Sequence, residues 1–300
     1  MRHVPVLLSE VVAGLNLKKN SRVIDCTLGD AGHSEAILKC IGGKGKLMGI
    51  DADPESLLRS KKSLDQFAKQ VIFVRDNFKN LKKIAKDNNF ESVDAILMDL
   101  GWSTPQFKER GRGFSFENDE PLDMRYSQAV GENASDIINQ YSENDLEKIF
   151  RFYGEEKLSR EIAKDIVSER MDKKIEKTAD LVEIVLKAYR RKLKTDREIP
   201  WVGGIHPATK IFQALRIAVN SELEVIRQAL PQALELLSVG GRLAVITFHS
   251  LEDRIVKQFF VKNQNKILRI INKKPLIAGA EELKNNPSSR SAKLRIIEKI

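Results

Sequence analysis

SRVIDCTLGDAGHSEAILKC, residues 21–40, is the stretch that decides the fold. Valine and isoleucine lead up to Asp25, a glycine-containing loop follows, and a segment with helical spacing closes the stretch. This order is typical of the first unit of a parallel sheet covered by helices. Three later segments have the same strand character: KLMGID (46–51), VIFVRD (71–76) and DAILMDL (94–100). The sequence therefore predicts an α/β fold with a mostly parallel sheet.

The alternation of strand and helix stops after the fourth strand. Three charged segments then carry apolar residues at helical spacing, and we find no clear strand among them: LEKIFRFYG, EKLSREIAKDIVSERM and TADLVEIVLKAYRRKL. Residues 107–204 are predicted to form a helical insertion. The flanking segments, 1–106 and 205–300, are predicted to form one sheet-containing domain.

After the insertion the sequence returns to strands. Pro207 has no backbone N–H and suits the first turn of one long helix that runs to about Leu237. GRLAVITFHS (241–250) predicts a fifth strand, LEDRIVKQFF (251–260) a helix, and ILRII (267–271) and AKLRIIEKI (292–300) the last strands. One row of polar residues on the long helix is either a solvated face or a substrate-facing one: Thr209, Gln213, Arg216 and Asn220.

Composition limits the class of protein. The chain has 300 residues, 42% of them hydrophobic, and its 51 basic against 42 acidic residues give a net charge of +9, which favours a polyanionic partner. We expect a cytoplasmic protein, because MRHVPVLLSEVV lacks the features of a signal peptide and no apolar run reaches the ~20 residues of a membrane span. Cys26, Cys40 and the four histidines lack metal-ligand spacing, so no metal is expected.

Polar residues gather where the predicted strands end. Ligands of open parallel sheets bind at the carboxyl ends of the strands, which share one edge. Asp51 stands 19 residues after Gly32, where an acid can accept both ribose hydroxyls of a nucleoside. Phe78 either supplies an apolar face for an adenine or packs in the core. The other candidates at this edge are Asp25, Asp30, His33, Asp53, Asp76, Asp99, His249 and Ser250.

The glycine loop separates two classes of nucleoside cofactor. A dinucleotide site favours G-x-G-x-x-G, whereas this loop reads G-D-A-G-H-S, with Ala31 and Ser34 in place of glycines. S-adenosylmethionine has no phosphate, and acidic neighbours attract its sulfonium and ammonium groups. The loop therefore favours S-adenosylmethionine over NAD, which stays the alternative.

The segment DLGWSTPQ (99–106) comes after the fourth strand and has two interpretations. Its glycine, hydroxyls and proline either end the strand and cap the next segment, or its acid accepts the N–H groups of an exocyclic amine that receives a methyl group. His249 and Ser250 are adjacent on a predicted strand and point to opposite faces, which argues against a nucleophilic pair.

Several segments resemble one known family, the bacterial 16S ribosomal RNA cytosine-N4 methyltransferases, which use S-adenosylmethionine. The matching stretches run in the family's order: HVPVLLSEVVAGL, DCTLGDAGHS, GIDADPE, ILMDLGWSTPQ, RGFSFENDEPLDMR, YGEEKLSREIA, HPATKIFQALRIAVNSELE, GGRLAVITFHSLEDRIVK and NPSSRSAKLR. The resemblance implies a class I, Rossmann-like methyltransferase domain with a helical substrate-recognition domain inserted after the fourth strand.

The resemblance also implies roles for individual residues. Cofactor contacts are expected at Ala31, Gly32, His33, Asp51, Phe78, Asp99 and Gln106, with Asp99 and Ser103 as catalytic residues. Substrate contacts are expected at Thr104, Arg216, His249 and Ser250. The chain departs from the family's usual pattern at Ala31, where a glycine is usual, at Trp102, where a small aliphatic residue is usual, and at Thr104, where serine is usual.

The activity that the resemblance implies is transfer of a methyl group to N4 of a cytidine in the decoding region of 16S ribosomal RNA, within the small ribosomal subunit. Basic residues are expected to meet phosphates unless they are merely solvated: Arg110, Arg112, Arg125, Lys187, Arg190, Arg191, Lys192, Lys194 and Arg197. Two alternatives stay open, an exocyclic-amine methyltransferase of DNA or another RNA, and a non-catalytic ribosome-assembly factor. The oligomeric state is also open.

Overall fold

The computed structural model describes residues 4–100, 111–127, 131–199 and 201–300. The chain divides into two compact units, a sheet unit of Met1–Ser103 with Leu223–Ile300 and a helical unit of Thr104–Glu222. The second limit lies at 222/223, whereas the sequence places the end of the insertion at residue 204. The reason is that the helix Thr209–Asn220 packs against the helix Glu143–Tyr153 of the helical unit.

The sheet of the described residues has seven strands, and the predicted α/β class with a mostly parallel sheet is confirmed. In chain order they are β1 (Arg22–Asp25), β2 (Lys46–Asp51), β3 (Val71–Arg75), β4 (Val93–Asp99), β5 (Leu237–Thr247), β6 (Leu268–Ile270) and β7 (Lys293–Lys299). The spatial order is β3-β2-β1-β4-β5-β7-β6. The first five strands pair in parallel, and β7 runs antiparallel to both β5 and β6.

The twelve α-helices of the described ranges follow the same numbering. They are α1 (Leu8–Leu15), α2 (Gly32–Ile41), α3 (Pro54–Ser63), α4 (Leu81–Asp87), α5 (Ala134–Gln140), α6 (Glu143–Tyr153), α7 (Ser159–Asp172), α8 (Thr178–Leu193), α9 (Thr209–Asn220), α10 (Glu222–Leu236), α11 (Ser250–Asn263) and α12 (Ala280–Asn285). The three helical segments predicted within the insertion are confirmed as α6, α7 and α8. Helices α5 and α6 begin at caps, since the side chain of Asn133 accepts from Asp136 N and that of Ser142 from Asp145 N.

The register of the parallel strands brings their carboxyl ends to one edge. Asp25 of β1 lies opposite Gly49 of β2 and Leu97 of β4, and Asp99 lies opposite Ile246 of β5. The central strands are buried apolar runs, because helices cover both faces of a parallel sheet. In β1, β2 and β4 the polar residues lie at or next to the strand ends.

The prediction of one helix from Pro207 to Leu237 is wrong. Helix α9 begins at Thr209 and ends at Asn220, and α10 begins only after Ser221. Ser221 has a φ of 51°, a left-handed conformation that cannot continue a right-handed helix. The apolar spacing continues through the break, so periodicity alone does not reveal it.

Cys26 is buried and Cys40 half-buried, and both are free thiols. Within the described ranges, no helix is long and apolar enough to cross a membrane.

Candidate active site

The loop after β1 is fixed between the two neighbouring strands. Leu28 N donates to Ile50 O at 3.0 Å, which ties the loop to β2. Asp99 N donates to Thr27 Oγ1 at 2.8 Å, which ties it to the end of β4. The loop is therefore held by hydrogen bonds on both sides.

Two residues of this loop have left-handed backbone conformations. Gly29 has a φ of 52° and Ala31 a φ of 64°. Ala31 is fully buried and stands at the N-cap of α2. For a residue with a Cβ, this region is unfavourable by roughly 1–2 kcal/mol. The structure thus gives a physical reason why glycine suits position 31.

Asp25 and Asp30 are engaged within the protein. Asp25 is buried and accepts hydrogen bonds from Ser34 Oγ at 2.6 Å and Thr27 N at 3.1 Å. Burial raises its pKa, an effect that the bond from Ser34 partly offsets. Asp30 accepts from Arg59 Nε at 2.8 Å. Asp25 is therefore a buried anchor of the loop. The guanidinium of Arg59 partly balances the charge of Asp30.

Asp51 closes β2 with both carboxylate oxygens in use. Oδ2 accepts from Gly29 N and Oδ1 from Asp53 N, each at 2.9 Å. Burial raises the pKa of Asp51 to about 6, although both backbone bonds act to lower it. Each oxygen of a carboxylate has a second lone pair. Because this acid is poorly solvated, further hydrogen-bond donors such as hydroxyl groups would stabilise its ionised form.

Asp53 and Asp76 shape the chain beside the site. Asp53 caps α3 by accepting from Glu55 N at 3.2 Å and Ser56 N at 3.0 Å, with Pro54 in the first turn. Asp76 accepts from Asn77 N at 2.6 Å, directly before the short 3₁₀ helix Phe78–Asn80. The side chain of Phe78 is half-buried. The sequence could not tell these turn-forming acids from ligand-binding ones.

His33 and Asp99 come together at the start of α2. His33 Nδ1 lies 3.6 Å from Asp99 Oδ2, and His33 Nε2 lies 2.9 Å from Val6 O. The histidine is 7% exposed, so its two nitrogens are confined between a carboxylate and a backbone carbonyl. This arrangement fixes the plane of the imidazole beside the acid that ends β4.

The chain before α1 covers this histidine, and we call residues Val4–Leu7 the N-terminal strap. A Cβ on Gly32 would approach Pro5 Cγ to 2.9 Å, so only glycine fits beneath the strap without a shift. Leu7 has a φ of 53° and its side chain is fully buried. The strap is thus held in one strained, closely packed conformation.

Helix α12 and the residue after it, near the C-terminal end of the sequence, form hydrogen bonds with the strap. Leu7 N donates to Glu282 Oε1 at 2.7 Å, and Asn286 Nδ2 donates to Val4 O at 3.0 Å. The sequence analysis missed both residues. No periodicity or spacing signals a hydrogen bond between positions 275 or more residues apart.

The predicted residues after β5 lie at the start of α11. His249 Nε2 is 3.1 Å from Glu252 Oε1, while Glu252 Oε2 accepts from Phe248 N at 2.7 Å. Glu252 is 2% exposed, and its two contacts stabilise the turn between β5 and α11. Ser250 is the first residue of α11 and is exposed.

Arg216 forms a buried ion pair within the helical unit. Its guanidinium, 8% exposed, donates to Glu222 Oε1 from Nε at 2.9 Å and to Oε2 from Nη2 at 3.0 Å. Gln213 and Asn220 of the same polar row donate to Tyr153 O and Met124 O, both within this unit. Three of the four residues of the row are therefore engaged in structural contacts, which neither of the two sequence-based interpretations anticipated.

Several of the basic residues predicted to meet phosphates are paired with acids. Lys187 and Arg191 lie 2.6 Å from Glu169 and Asp165 across a cleft of about 570 Å³ between α7 and α8. Arg190 pairs with Glu183 at 2.7 Å, and Arg125 with Asp123 at 2.8 Å. These charges are partly compensated before any polyanion binds.

Some predicted positions cannot be compared with the structure. Trp102, Ser103, Thr104, Gln106 and Arg110 lie outside the described residues. Their roles stay predictions.

Comparison with known proteins assigns the chain to a family. Residues 1–300 match the model of the MraW methylase family. The chain is 46% identical over 298 residues to "Ribosomal RNA small subunit methyltransferase H" of Dictyoglomus thermophilum, covering 99% of this chain and 96% of the relative. Proteins of the same name from Streptococcus mutans and Clostridium botulinum are 43% and 42% identical, covering 99% and 100% of this chain and 98% and 99% of the relatives. The similarity extends over both units, and the chain belongs to the MraW methylase family.

Proposed function

We propose that this protein transfers a methyl group from S-adenosylmethionine to the exocyclic N4 amine of a cytidine in the decoding region of 16S ribosomal RNA. The observation that carries the proposal is the end-to-end similarity to proteins named ribosomal RNA small subunit methyltransferase H. The choice of cytidine N4 and of the decoding region rests on the sequence resemblance. The activity belongs where small subunits are assembled, in the cytoplasm.

The strand-end residues fit the nucleoside part of this cofactor. Asp51 keeps acceptor capacity for two ribose hydroxyls, and the left-handed turn at Gly29 lets the backbone approach a ligand closely. Phe78 offers a half-buried ring at the end of β3 for an adenine. Together with the methylase family, this set supports S-adenosylmethionine over NAD.

Catalysis of this reaction depends mainly on how the protein positions the two reactants. S-adenosylmethionine, when bound, supplies an electrophilic methyl group on its sulfonium. Asp99 would accept an N–H of the amine and orient its nitrogen, and His33 would hold the carboxylate of Asp99 in place. Gly32 would line the cofactor, and Ala31 would add a methyl group where the pattern implied by the resemblance usually has glycine. Ser103, Thr104 and Gln106 retain the roles that the resemblance implies.

The two units would bind different ligands. The sheet unit would bind the cofactor, and the helical unit would recognise RNA, with Lys192, Lys194 and Arg197 contributing to phosphate binding. Arg216 would act on the substrate indirectly, by keeping the helical unit folded. His249 and Ser250 would border the substrate side of the sheet unit.

A transfer assay tests the proposal. Small subunits from cells that lack the protein would be incubated with it and labelled S-adenosylmethionine, and the RNA nucleosides analysed by mass spectrometry. We expect one N4-methylcytidine per 16S RNA, and none with Asp99→Ala. Label in DNA or another RNA would indicate the first alternative activity. Binding to subunits without cofactor binding or transfer would indicate an assembly factor.

A further inference from the structure

A short hairpin of the helical unit presents a tryptophan to solvent. Val202 N donates to Ile205 O at 2.8 Å, and Ile205 N to Val202 O at 3.4 Å. The two residues between them, Gly203 and Gly204, have φ values of 61° and 84°. Two positive φ values in a two-residue loop are typical of a type I′ turn, whose twist suits a tight hairpin. Trp201, directly before this hairpin, is 67% exposed.

A row of aromatic rings begins directly after the hairpin, at His206. Trp201 and His206 flank the paired residues Val202 and Ile205 in sequence. The ring of His206 stacks on Phe116 with centroids 4.6 Å apart and planes 27° apart. Phe116 in turn meets Phe212 of α9 edge-on at 5.1 Å. We call Phe116, Trp201, His206 and Phe212 the aromatic platform.

The platform is anchored at one end and open at the other. Phe212 is 5% exposed, so the row begins in the core of the helical unit. Burial lowers the pKa of His206, which keeps its ring neutral and suited to stacking. Trp201 is large and apolar, and residues of this kind are mostly buried. Leaving it exposed on a rigid turn is unfavourable in the free protein, and a ligand with a flat face would remove that cost.

The surroundings favour a nucleobase over an apolar protein surface. The residues before the hairpin are exposed and charged, among them Lys194, Asp196, Arg197 and Glu198. A single aromatic face within a charged surround, on a chain of net charge +9, is typical of proteins that stack unpaired bases. Unpaired RNA bases are read by such stacking, whereas duplex RNA exposes no base face. We infer that the aromatic platform stacks an unpaired nucleobase of the RNA substrate through Trp201, an inference that rests on the proposed function.

Fluorescence and kinetics test this inference in the full-length protein. The emission of Trp201 is obtained as the difference between wild type and Trp201→Phe, since the chain has one other tryptophan, Trp102. We expect single-stranded RNA of the 16S sequence to quench this difference signal, and the same sequence as a duplex to leave it unchanged. Trp201→Ala should weaken single-stranded RNA binding about tenfold, within the range of one base–aromatic stack. Trp201→Phe should retain most of the affinity.

The matched control is Phe152→Ala, which removes another exposed aromatic of the helical unit, 61% exposed on α6. In the transfer assay Trp201→Ala should raise the KM for RNA and leave kcat unchanged, whereas Phe152→Ala should change neither. Equal KM values for the two variants, or quenching only by a ribosomal protein, would overturn the inference. If the wild type transfers no methyl group while single-stranded RNA still quenches Trp201, the proposed function fails and the platform stands.

Discussion

The backbone N–H of Leu7 donates a 2.7 Å hydrogen bond to the carboxylate of Glu282, joining residues 275 positions apart. This bond connects α12 to the N-terminal strap. Since Val6 O of the strap lies 2.9 Å from His33 Nε2, hydrogen bonds connect α12 through the strap to the histidine beside Asp99. A residue remote in sequence is thereby linked to the candidate site.

We expect Glu282→Ala to weaken S-adenosylmethionine binding about five- to tenfold, as measured by calorimetry. The variant leaves the N–H of Leu7 without its acceptor, and the left-handed conformation of Leu7 loses one of its restraints. Glu282→Gln keeps an acceptor oxygen and should bind the cofactor as the wild type does.

Glu281→Ala is the control for Glu282, because it removes the neighbouring exposed acid from the same first turn of α12. It should leave the affinity unchanged. If Glu282→Ala and Glu281→Ala bind the cofactor equally well, the strap does not position the site.

Replacing Ala31 by glycine should destabilise the protein less than a glycine substitution inside a helix does. The change removes a left-handed strain of roughly 1–2 kcal/mol. It costs about 0.5–1 kcal/mol through the freer unfolded chain and ~0.8 kcal/mol through the loss of a buried methyl group. Ala36→Gly, inside α2, has the cost of the freer unfolded chain without relief of strain. The free energy of unfolding, from urea denaturation, should be higher for Ala31→Gly than for Ala36→Gly. Equal values would show that Ala31 is unstrained.

Cofactor affinity should decrease as the pH falls through about 6. The pKa of Asp51 is raised to about 6, so the ionised fraction that accepts ribose hydroxyls decreases below that pH. A ligand that prefers ionised Asp51 also releases a proton on binding near pH 6. Calorimetry in buffers of different ionisation enthalpy measures both effects.

Asp51→Asn should bind the cofactor weakly and with no pH dependence between pH 5 and 7.5. Asp65→Asn, which changes an exposed acid of the same unit, should keep the wild-type profile. A wild-type affinity that is constant down to pH 5 would be inconsistent with a hydroxyl-binding role for Asp51.

Arg216→Ala should act on stability and leave the chemistry unchanged. Breaking a buried bidentate pair with Glu222 should cost about 3 kcal/mol of unfolding free energy. In a double-mutant cycle with Glu222→Ala, most of this cost should disappear, because the partner is already absent. Arg227→Ala breaks an exposed pair with Glu224 and should cost less than about 0.5 kcal/mol. A lower kcat with unchanged stability would restore a direct substrate role for Arg216.

The sequence predicted much of the fold because its signals are local. Short apolar runs identified β1 to β5, and apolar residues at helical spacing identified helices α6 to α8. The predicted ends of these elements lie within a few residues of the observed ones. It failed at Ser221, since one positive φ interrupts a helix without disturbing the apolar spacing on either side. It also placed the end of the helical insertion before α9, whose packing partner α6 lies about 60 residues away.

The candidate site, like the fold, was predicted only in part from the sequence. By itself, the sequence predicted that acids end the parallel strands, that a loop with glycines and Ala31 follows the first strand, and that the chain resembles a methyltransferase family. Only the tertiary structure decided which acids are engaged elsewhere, with Asp53 as a helix cap, Asp30 in an ion pair and Asp51 retaining acceptor capacity. It also decided that Glu282 holds the strap over His33. The physical reason is that strand and helix patterns arise between near neighbours, whereas burial and hydrogen-bond partners depend on which distant segments the folded chain brings together.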